Sequence, residues 1–214
     1  MQKNDYVSVI IPYYNSRKWC EPLIQKLISQ KKYFYKDTEI IVIDDCSTED
    51  NSWLWLYQDD IKFLRNKTNM GVSYCRNLGL KLSKGNYIQF VDSDDDIFNN
   101  FLEIIYENIT KNCDYCLYRW YSQGNITEGE IPEDSLKWNW AVWGYTFKRD
   151  CIGNEKFNEK MNTMEDYDFL KRVLKGKTRR IVDNPIYIYN STNENSICHL
   201  IDAGKLEKTR NAEY

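Results

Sequence analysis

Two kinds of apolar segment alternate along the first half of the chain. Continuous β-branched runs predict strands buried on both faces, and apolar residues at helical spacing predict amphipathic helices. Each predicted strand is followed by a predicted helix, an order typical of an α/β fold with a largely parallel, doubly wound sheet. The predicted strands are 6–12, 38–43, 61–64 and 87–91, and the helical segments are 23–30, 53–56, 72–83 and 99–111.

Local chemistry suggests two helix boundaries. Ser47, with Asp50 three residues later, resembles an N-cap ahead of the segment 53–56. Gly85 follows the segment 72–83 and predicts the end of that helix.

The second half of the chain is less regular, and its aromatic segments lack a clear period. It contains no internal repeat or low-complexity linker, so we expect a single domain over residues 1–214. The predicted elements are a strand over 114–121, a polar loop over 122–134, a strand-like segment over 138–147, a helix over 165–174 and short strands within 178–190.

Polar and acidic residues come directly after three of the predicted strands. The first strand leads into Tyr13-Tyr14-Asn15, the second into Asp44-Asp45, and the fourth into Asp92-Ser93-Asp94. Ligands of parallel sheets bind at the carboxyl ends of the strands. These segments are therefore expected to form one site.

The segment from Asp92 to Asp96 holds four carboxylates in five residues. Like charges this close raise one another's pKa unless a cation neutralises them. A hard divalent ion with oxygen ligands, Mg²⁺ or Mn²⁺, suits such a group and can also bind diphosphate oxygens. The alternative is a solvated turn that caps the following helix.

Composition narrows the class of partner. The formal net charge is −3, which argues against nucleic acid, since phosphate backbones need a basic face. No P-loop or dinucleotide-binding glycine motif is present. His199 is the only histidine, which excludes a zinc site built from several histidines.

The cysteines and the apolar runs bear on location. Seven cysteines follow no even framework, and no stretch has the length of a signal peptide core or a membrane span. We expect a cytoplasmic protein with reduced thiols, peripheral at the membrane at most. Cys113 and Cys116 have CxxC spacing, but without a second pair we expect ordinary thiols there, not a redox or zinc site.

Five motifs follow one another along the chain: Val7–Asn15, Ile43–Ser47, Asn69–Asn77, Phe90–Asp95 and the pair Glu165-Asp166. In this order they resemble the GT-A glycosyltransferases of family 2. The resemblance covers about 6–197 and implies an inverting, metal-dependent sugar transfer from a nucleotide-sugar donor. It implies a nucleotide-sugar-binding half over about 1–112, an acceptor-binding half over about 113–201 and a charged tail over 202–214.

On the donor side, the resemblance assigns Pro12 and Tyr14 to the pocket of the nucleotide base, with Asn15 beside them. Asp45 would accept a hydrogen bond from the edge of the base. Residue chemistry alone leaves two alternatives: packing for Tyr14, and a helix cap for Asp45.

The same resemblance assigns the diphosphate and the metal. Arg76 would reach the nucleotide or its diphosphate, although a solvated position on its helix is the alternative. Asp92 would hold the ribose or a metal-bound water, next to Ser93, and Asp94 would bind Mn²⁺ or Mg²⁺ directly.

On the acceptor side, Asp166 matches the family's general base and Glu165 would orient the acceptor or Asp166. The alternative is that both carboxylates only stabilise a helix N-terminus. The family often has a histidine near the C-terminus, and the matching segment 187–197 has none, with His199 just beyond it.

The resemblance also implies the substrates. A UDP-sugar is the favoured donor, and the acceptor is a glycan or a lipid-linked saccharide. Trp138, Trp140, Trp143 and Gly144 fall where the family builds its acceptor wall, and core packing of a strand face is the alternative for Trp138 and Trp140. Two other functions stay open: a nucleotidyltransferase on a related sheet, and a sugar-nucleotide-binding module without catalysis.

Overall fold

The computed structural model describes residues 6–34, 37–109, 112–128, 130–161 and 163–193. The first half alternates strands and helices as predicted. Its strands are β1 (Val7–Tyr13), β2 (Thr38–Asp44), β3 (Lys62–Arg65), β4 (Tyr87–Phe90) and the short β5 (Asp96–Ile97); its helices are α1 (Arg17–Phe34), α2 (Val72–Leu82) and α3 (Phe101–Ile109), with a 3-10 helix at Ser52–Tyr57.

The second half adds strands to the same sheet. Its elements are β6 (Tyr115–Ser122), β7 (Asn125–Ile126), β8 (Tyr145–Lys148), α4 (Arg149–Ile152), α5 (Glu165–Val173) and β9 (Arg179–Ile188), with 3-10 helices at Ser135–Lys137 and Val142–Gly144. The described strands form one sheet in the order β3-β2-β1-β4-β8-β6-β9-β5, and β7 pairs with β6.

The sheet is mixed in direction but parallel in the part that carries the predicted site. β1 pairs in parallel with both β2 and β4, and β2 pairs in parallel with β3. β8 is antiparallel to β4 and to β6. The carboxyl ends of β1, β2 and β4 therefore lie side by side, as the alternation of strands and helices predicted.

Helices cover both faces of this parallel part. In β1, Val9 and Ile11 belong to the apolar cluster shared with α1 and α3, while Ile10 belongs to the cluster shared with α5. Burial on both faces explains why the strand is a continuous β-branched run. Among the helices that the structure describes, none is long and apolar enough to cross a membrane.

Several predicted boundaries need correction in the first half. Ser47 is not an N-cap: the 3-10 helix begins at Ser52, where the Asp50 carboxylate accepts bonds from the Ser52 N–H and Oγ at 2.9 Å. α2 ends at Leu82, before Gly85. A Cβ on Gly85 would lie 2.6 Å from the Ser8 backbone nitrogen, so this glycine permits close approach to β1.

Other boundaries change in the second half. The aromatic segment 138–147 is a strand only from Tyr145. Before it, the side chains of Trp138 and Trp143 pack in one aromatic cluster and do not alternate between two faces of a sheet. The short strands of 178–190 are one strand, β9, whose register against β6 shifts on both sides of Pro185. Proline has no N–H for a ladder, which accounts for an irregularity there.

Gly79 sets the distance between α2 and β1, and its replacement is a test of the fold. A Cβ at this position would lie 2.3 Å from Ile10 Cγ2. Alanine favours helix by about 1 kcal/mol, but overpacking a core costs about 1–3 kcal/mol. We expect Gly79→Ala to lower the free energy of unfolding in urea, with exposed Lys81→Ala of the same helix as control. A higher midpoint for Gly79→Ala would contradict this close packing.

Candidate active site

The loop after β1 presents an exposed ring above a buried strand end. Pro12 is buried within β1, while the Tyr14 side chain is 47% exposed and stands at the carboxyl-end rim. Asn15 has a positive φ of 48°, and its Oδ1 accepts bonds from the Thr48 and Glu49 N–H groups at 2.8 and 3.2 Å. Asn15 thus ties the β1 loop to the β2 loop and leaves Tyr14 available for a ligand.

Asp45 organises the loop that leads into α2. Its two carboxylate oxygens accept bonds from Asn66 Nδ2 at 2.8 Å, the Met70 N–H at 2.8 Å and the Gly71 N–H at 2.7 Å. Gly71 has a φ of 86°, a conformation that favours glycine. These bonds exclude the alternative in which Asp45 caps a helix after Ser47, and Asp45 instead fixes the rim ahead of α2.

Asp44 is a residue of the rim that the sequence interpretation left without a role. It is fully buried and accepts bonds from Arg65 Nη1 at 2.8 Å, Asn51 Nδ2 at 2.6 Å and the Ser47 N–H at 2.8 Å. The Asp44-Asp45 doublet was the available signal. The Asp44 carboxylate holds the loop after β2, and the Asp45 carboxylate holds the loop before α2.

The acidic loop after β4 is clamped by the end of β9 and the residues that follow it. The Tyr187 hydroxyl donates to Asp95 Oδ2 at 2.7 Å and accepts from the Asp92 N–H at 3.0 Å. Asn190 donates from its N–H to Asp95 Oδ1 at 2.7 Å, and Asn193 Nδ2 donates to Asp94 Oδ2 at 2.7 Å. The solvated-turn interpretation does not fit a buried Asp95 held by several donors.

The carboxylates of Asp94 and Asp96 lie in different environments. Burial and the nearby Asp92 charge raise the pKa of Asp94, and the bond from Asn193 opposes this rise. Asp96 is 46% exposed and pairs with Lys26 Nζ at 2.7 Å. Ser93 Oγ lies 2.7 Å from Ser16 Oγ, which joins the acidic loop to the start of α1. Asp94 therefore has the desolvated carboxylate that a cation would stabilise.

Arg76 is a buried cation between three carboxylates. It is 3% exposed, which excludes the solvated position on α2. Its Nη2 donates to Asp92 Oδ1 at 2.9 Å, and its Nη1 donates to Asp166 Oδ1 at 2.6 Å and Glu165 Oε1 at 3.0 Å. The guanidinium also lies 5.3 Å from the centre of the Phe157 ring. Arg76 thereby joins the acidic loop after β4 to the start of α5.

The Asp166 carboxylate is largely buried and accepts hydrogen bonds from a guanidinium and from a backbone N–H. Besides Arg76, its Oδ2 accepts a bond from the Val142 N–H at 3.0 Å. Burial raises the pKa of Asp166 to about 7, Arg76 opposes the rise, and the charges of Glu165 and Asp92 add to it. A carboxyl group that changes protonation near neutral pH is suited to accept a proton during a reaction.

The three tryptophans of the expected acceptor wall differ in environment. Trp143 is buried and stacks on Tyr187 at 4.3 Å between ring centroids. Trp138 packs edge-on against Trp120 at 5.8 Å. Trp140 is 50% exposed. Core packing therefore accounts for Trp138 and Trp143, and Trp140 is the ring of this wall left accessible to a ligand.

The carboxylates suit an ion that is shared with a ligand. Within the described residues, no group of three His, Cys, Asp or Glu side chains forms a ready metal cluster. Mg²⁺ is commonly held by one or two carboxylates together with substrate phosphates. The desolvated Asp94 carboxylate, with Asp92 nearby, fits that second arrangement. His199 lies outside the described residues.

Comparison with known proteins supports the fold independently. TarS 1–349 of S. aureus in complex with UDP superposes with a TM-score of 0.77 at 22% identity, covering 86% of this chain and 60% of TarS 1–349. The mannosyltransferase PcManGT of Pyrobaculum calidifontis, in complex with GDP-Man and Mn²⁺, has a TM-score of 0.69 at 14% identity, covering 97% of this chain and 66% of PcManGT.

Sequence relatives point the same way. Glycosyltransferase GlyG of Streptococcus pneumoniae is 26% identical over 180 residues, which are 80% of this chain and 58% of GlyG. The uncharacterized glycosyltransferase EpsJ of Bacillus subtilis is 26% identical over 221 residues, covering 91% of this chain and 63% of EpsJ. The chain thus spans about 60% of the length of these relatives. The family model Glycosyl transferase family 2 matches residues 8–174, so the chain belongs to glycosyl transferase family 2 and has the GT-A fold.

Proposed function

We propose that this chain is an inverting glycosyltransferase that uses a nucleotide-diphosphate sugar as donor. The observation that carries the proposal is the bridge of Arg76 from Asp92 to Asp166. It brings a buried carboxylate of α5 to the acidic loop at the strand ends. A base held beside a donor-binding loop is what a single displacement requires. The family assignment argues against the nucleotidyltransferase alternative.

The donor half of the proposed site is the rim of β1, β2 and β4. The exposed Tyr14 ring would lie against the base, with Pro12 and Asn15 shaping the pocket and Asp45 facing the edge of the base. Asp92 would hold the ribose, next to Ser93. A UDP-sugar is the favoured donor, since TarS has been crystallised with UDP and with UDP-GlcNAc.

Asp166 is proposed to act on the acceptor. Its carboxylate would take the proton of the acceptor hydroxyl while that oxygen forms a bond to the anomeric carbon. The bond from this carbon to the diphosphate breaks on the opposite face, which inverts the configuration. Mn²⁺ or Mg²⁺ bound at Asp94, with Asp92 nearby, would neutralise charge on the departing diphosphate.

The acceptor is proposed to be a glycan or a lipid-linked saccharide, entering along the half of the chain from about 113. Trp140 offers it an exposed ring. The described cysteines are free thiols, which supports a reducing compartment. We therefore propose action in the cytoplasm, at the membrane surface if the acceptor is lipid-linked.

Titration calorimetry with UDP tests the proposed metal role of Asp94. Asp94→Asn is expected to weaken UDP binding in Mn²⁺ by about tenfold, or about 1.4 kcal/mol, because the amide removes the charge that the ion needs. Binding without the ion should change little. Asp96→Asn is the matched control, since Asp96 pairs with Lys26. UDP binding that does not depend on Mn²⁺ in the unchanged protein would overturn the metal role.

A further inference from the structure

Two thiols face each other where the chain enters β6. The Sγ atoms of Cys113 and Cys116 lie 3.9 Å apart. A regular strand directs residues three apart to opposite faces. Here the N–H groups of Asp114 and Tyr115 both donate to the Thr178 carbonyl, at 2.9 and 3.3 Å. This irregular start of the strand brings the two thiols together.

The two sulfurs have different surroundings. Cys116 is buried, at 1% exposed, whereas Cys113 is partly exposed. The contact with the Cys116 thiol, together with the charges of Arg180 of β9 and Lys148 of β8, lowers the pKa of Cys113 to about 7, while burial and Asp114 oppose the change. The same contact and burial raise the pKa of Cys116.

The buried thiols elsewhere lack this activation. Burial raises the pKa of Cys20 well above its ordinary value, and it raises the pKa of Cys75 and Cys151 as well. A thiolate is the reactive form of cysteine, so these three are poor nucleophiles. Cys113 has both solvent access and a neighbouring thiol.

We propose that Cys113 and Cys116 form a redox-active dithiol that exchanges with low-molecular-weight disulfides such as oxidised glutathione. The Cys113 thiolate attacks one sulfur of the disulfide, forms a mixed disulfide and releases one thiolate. The Cys116 proton passes to that thiolate, and Cys116 Sγ attacks Cys113 Sγ to expel the second thiolate, which is protonated by water. The dithiol is oxidised by two electrons, and the small disulfide is reduced to two thiols.

This reaction is separate from the proposed sugar transfer. β8 is antiparallel to both β4 and β6, so β4 and β6 run in the same direction. The start of β6 therefore lies at the opposite end of the sheet from the rim where β4 ends. The inference does not rest on the proposed function and can be tested without a sugar substrate.

Mass spectrometry of one tryptic peptide tests whether the two thiols form a disulfide. Trypsin cleavage after Lys111 and Arg119 releases a peptide, 112–119, in which Cys113 and Cys116 are the only cysteines. The native protein is incubated with oxidised glutathione, quenched with iodoacetamide and digested. We expect the peptide to be two hydrogen masses lighter than the dithiol and unalkylated, and dithiothreitol to reverse this. Recovery of a doubly alkylated peptide under excess oxidised glutathione would overturn the proposal.

Two variants assign the roles of the sulfurs. Cys116→Ser is expected to accumulate glutathione on Cys113, and Cys113→Ser is expected to keep Cys116 as a thiol. The reverse pattern would overturn the assignment. A measurement on the unchanged protein does not depend on the folding of either variant: the pH midpoint of Cys113 alkylation should lie near 7 in the native protein. In urea it should rise to an ordinary thiol value of about 8.5, and equal midpoints in the two states would contradict the proposal.

Discussion

Asp166→Asn is expected to lower the turnover of sugar transfer by about 10²–10⁴-fold while UDP binds with nearly unchanged affinity. The amide keeps the shape of the carboxylate and can still accept the bond that the Val142 N–H makes to Asp166. It cannot take a proton from an acceptor hydroxyl. The measurement is transfer or hydrolysis of a panel of nucleotide-sugars, with UDP affinity determined in parallel.

A matched control lies on the same turn of α5. Asp168 is a partly exposed carboxylate that pairs with Arg172 at 2.7 Å, so Asp168→Asn should retain turnover. Full turnover in Asp166→Asn would remove this residue as the base. Inactivity of the unchanged protein across the whole panel, with UDP still bound, would favour a binding module without catalysis.

The pH profile gives an independent check on Asp166. A general base works in its deprotonated form, and the pKa of Asp166 is raised to about 7, mainly by burial. We therefore expect kcat/KM to rise with pH through about 7 and to fall about tenfold per pH unit below that value. The residual activity of Asp166→Asn should lack this rise with pH. A profile that is flat between pH 5 and 8 would contradict the assignment.

Arg76→Met is expected to lower the free energy of unfolding by about 3–5 kcal/mol, because removing one partner of a buried ion pair leaves its counterparts uncompensated. Asp92, Glu165 and Asp166 would lose their shared cation. Methionine matches the arginine stem as far as Nε and keeps an unbranched apolar side chain there, but it lacks the guanidinium that lies over Phe157. Denaturation in urea, followed by circular dichroism, measures the difference.

Two further variants make this result specific. Arg172→Met is the matched control, since the pairs of Arg172 with Asp168 and Glu155 are partly exposed and such pairs contribute about 0–1 kcal/mol each. Arg76→Lys keeps the charge but not the fork that reaches three carboxylates, so its loss should be intermediate. An effect of Arg76→Met no larger than that of Arg172→Met would show that the cluster is not held by Arg76.

Local sequence patterns predicted the elements that carry the donor side. The β-branched runs of β1 and β2 were recognisable because helices cover both faces of each strand. The acidic loop was recognisable because four carboxylates follow a buried strand directly. The parallel pairing of β1 with β2 and β4 then brought Tyr14, Asp45 and Asp92 to one rim, as the alternation of elements implied.

Those local patterns could not predict contacts between segments that are distant in the sequence. Spacing on a helix could not separate a solvated Arg76 from one buried against α5, because the difference depends on a segment 89 and 90 residues away. The clamp from Tyr187, Asn190 and Asn193 onto the acidic loop spans 92–99 residues. No local period encodes such pairs.

The CxxC spacing by itself likewise did not predict that the two thiols are in contact. The irregular start of β6 against Thr178, not the spacing, brings Cys113 and Cys116 into contact. The sequence by itself therefore determined the order of strands and helices, the acidic loop and the family, since these depend on local periodicity and on motifs in order. Only the tertiary structure decided which buried charges meet, which tryptophan remains exposed and which thiols face each other, because each depends on how distant strands and helices pack.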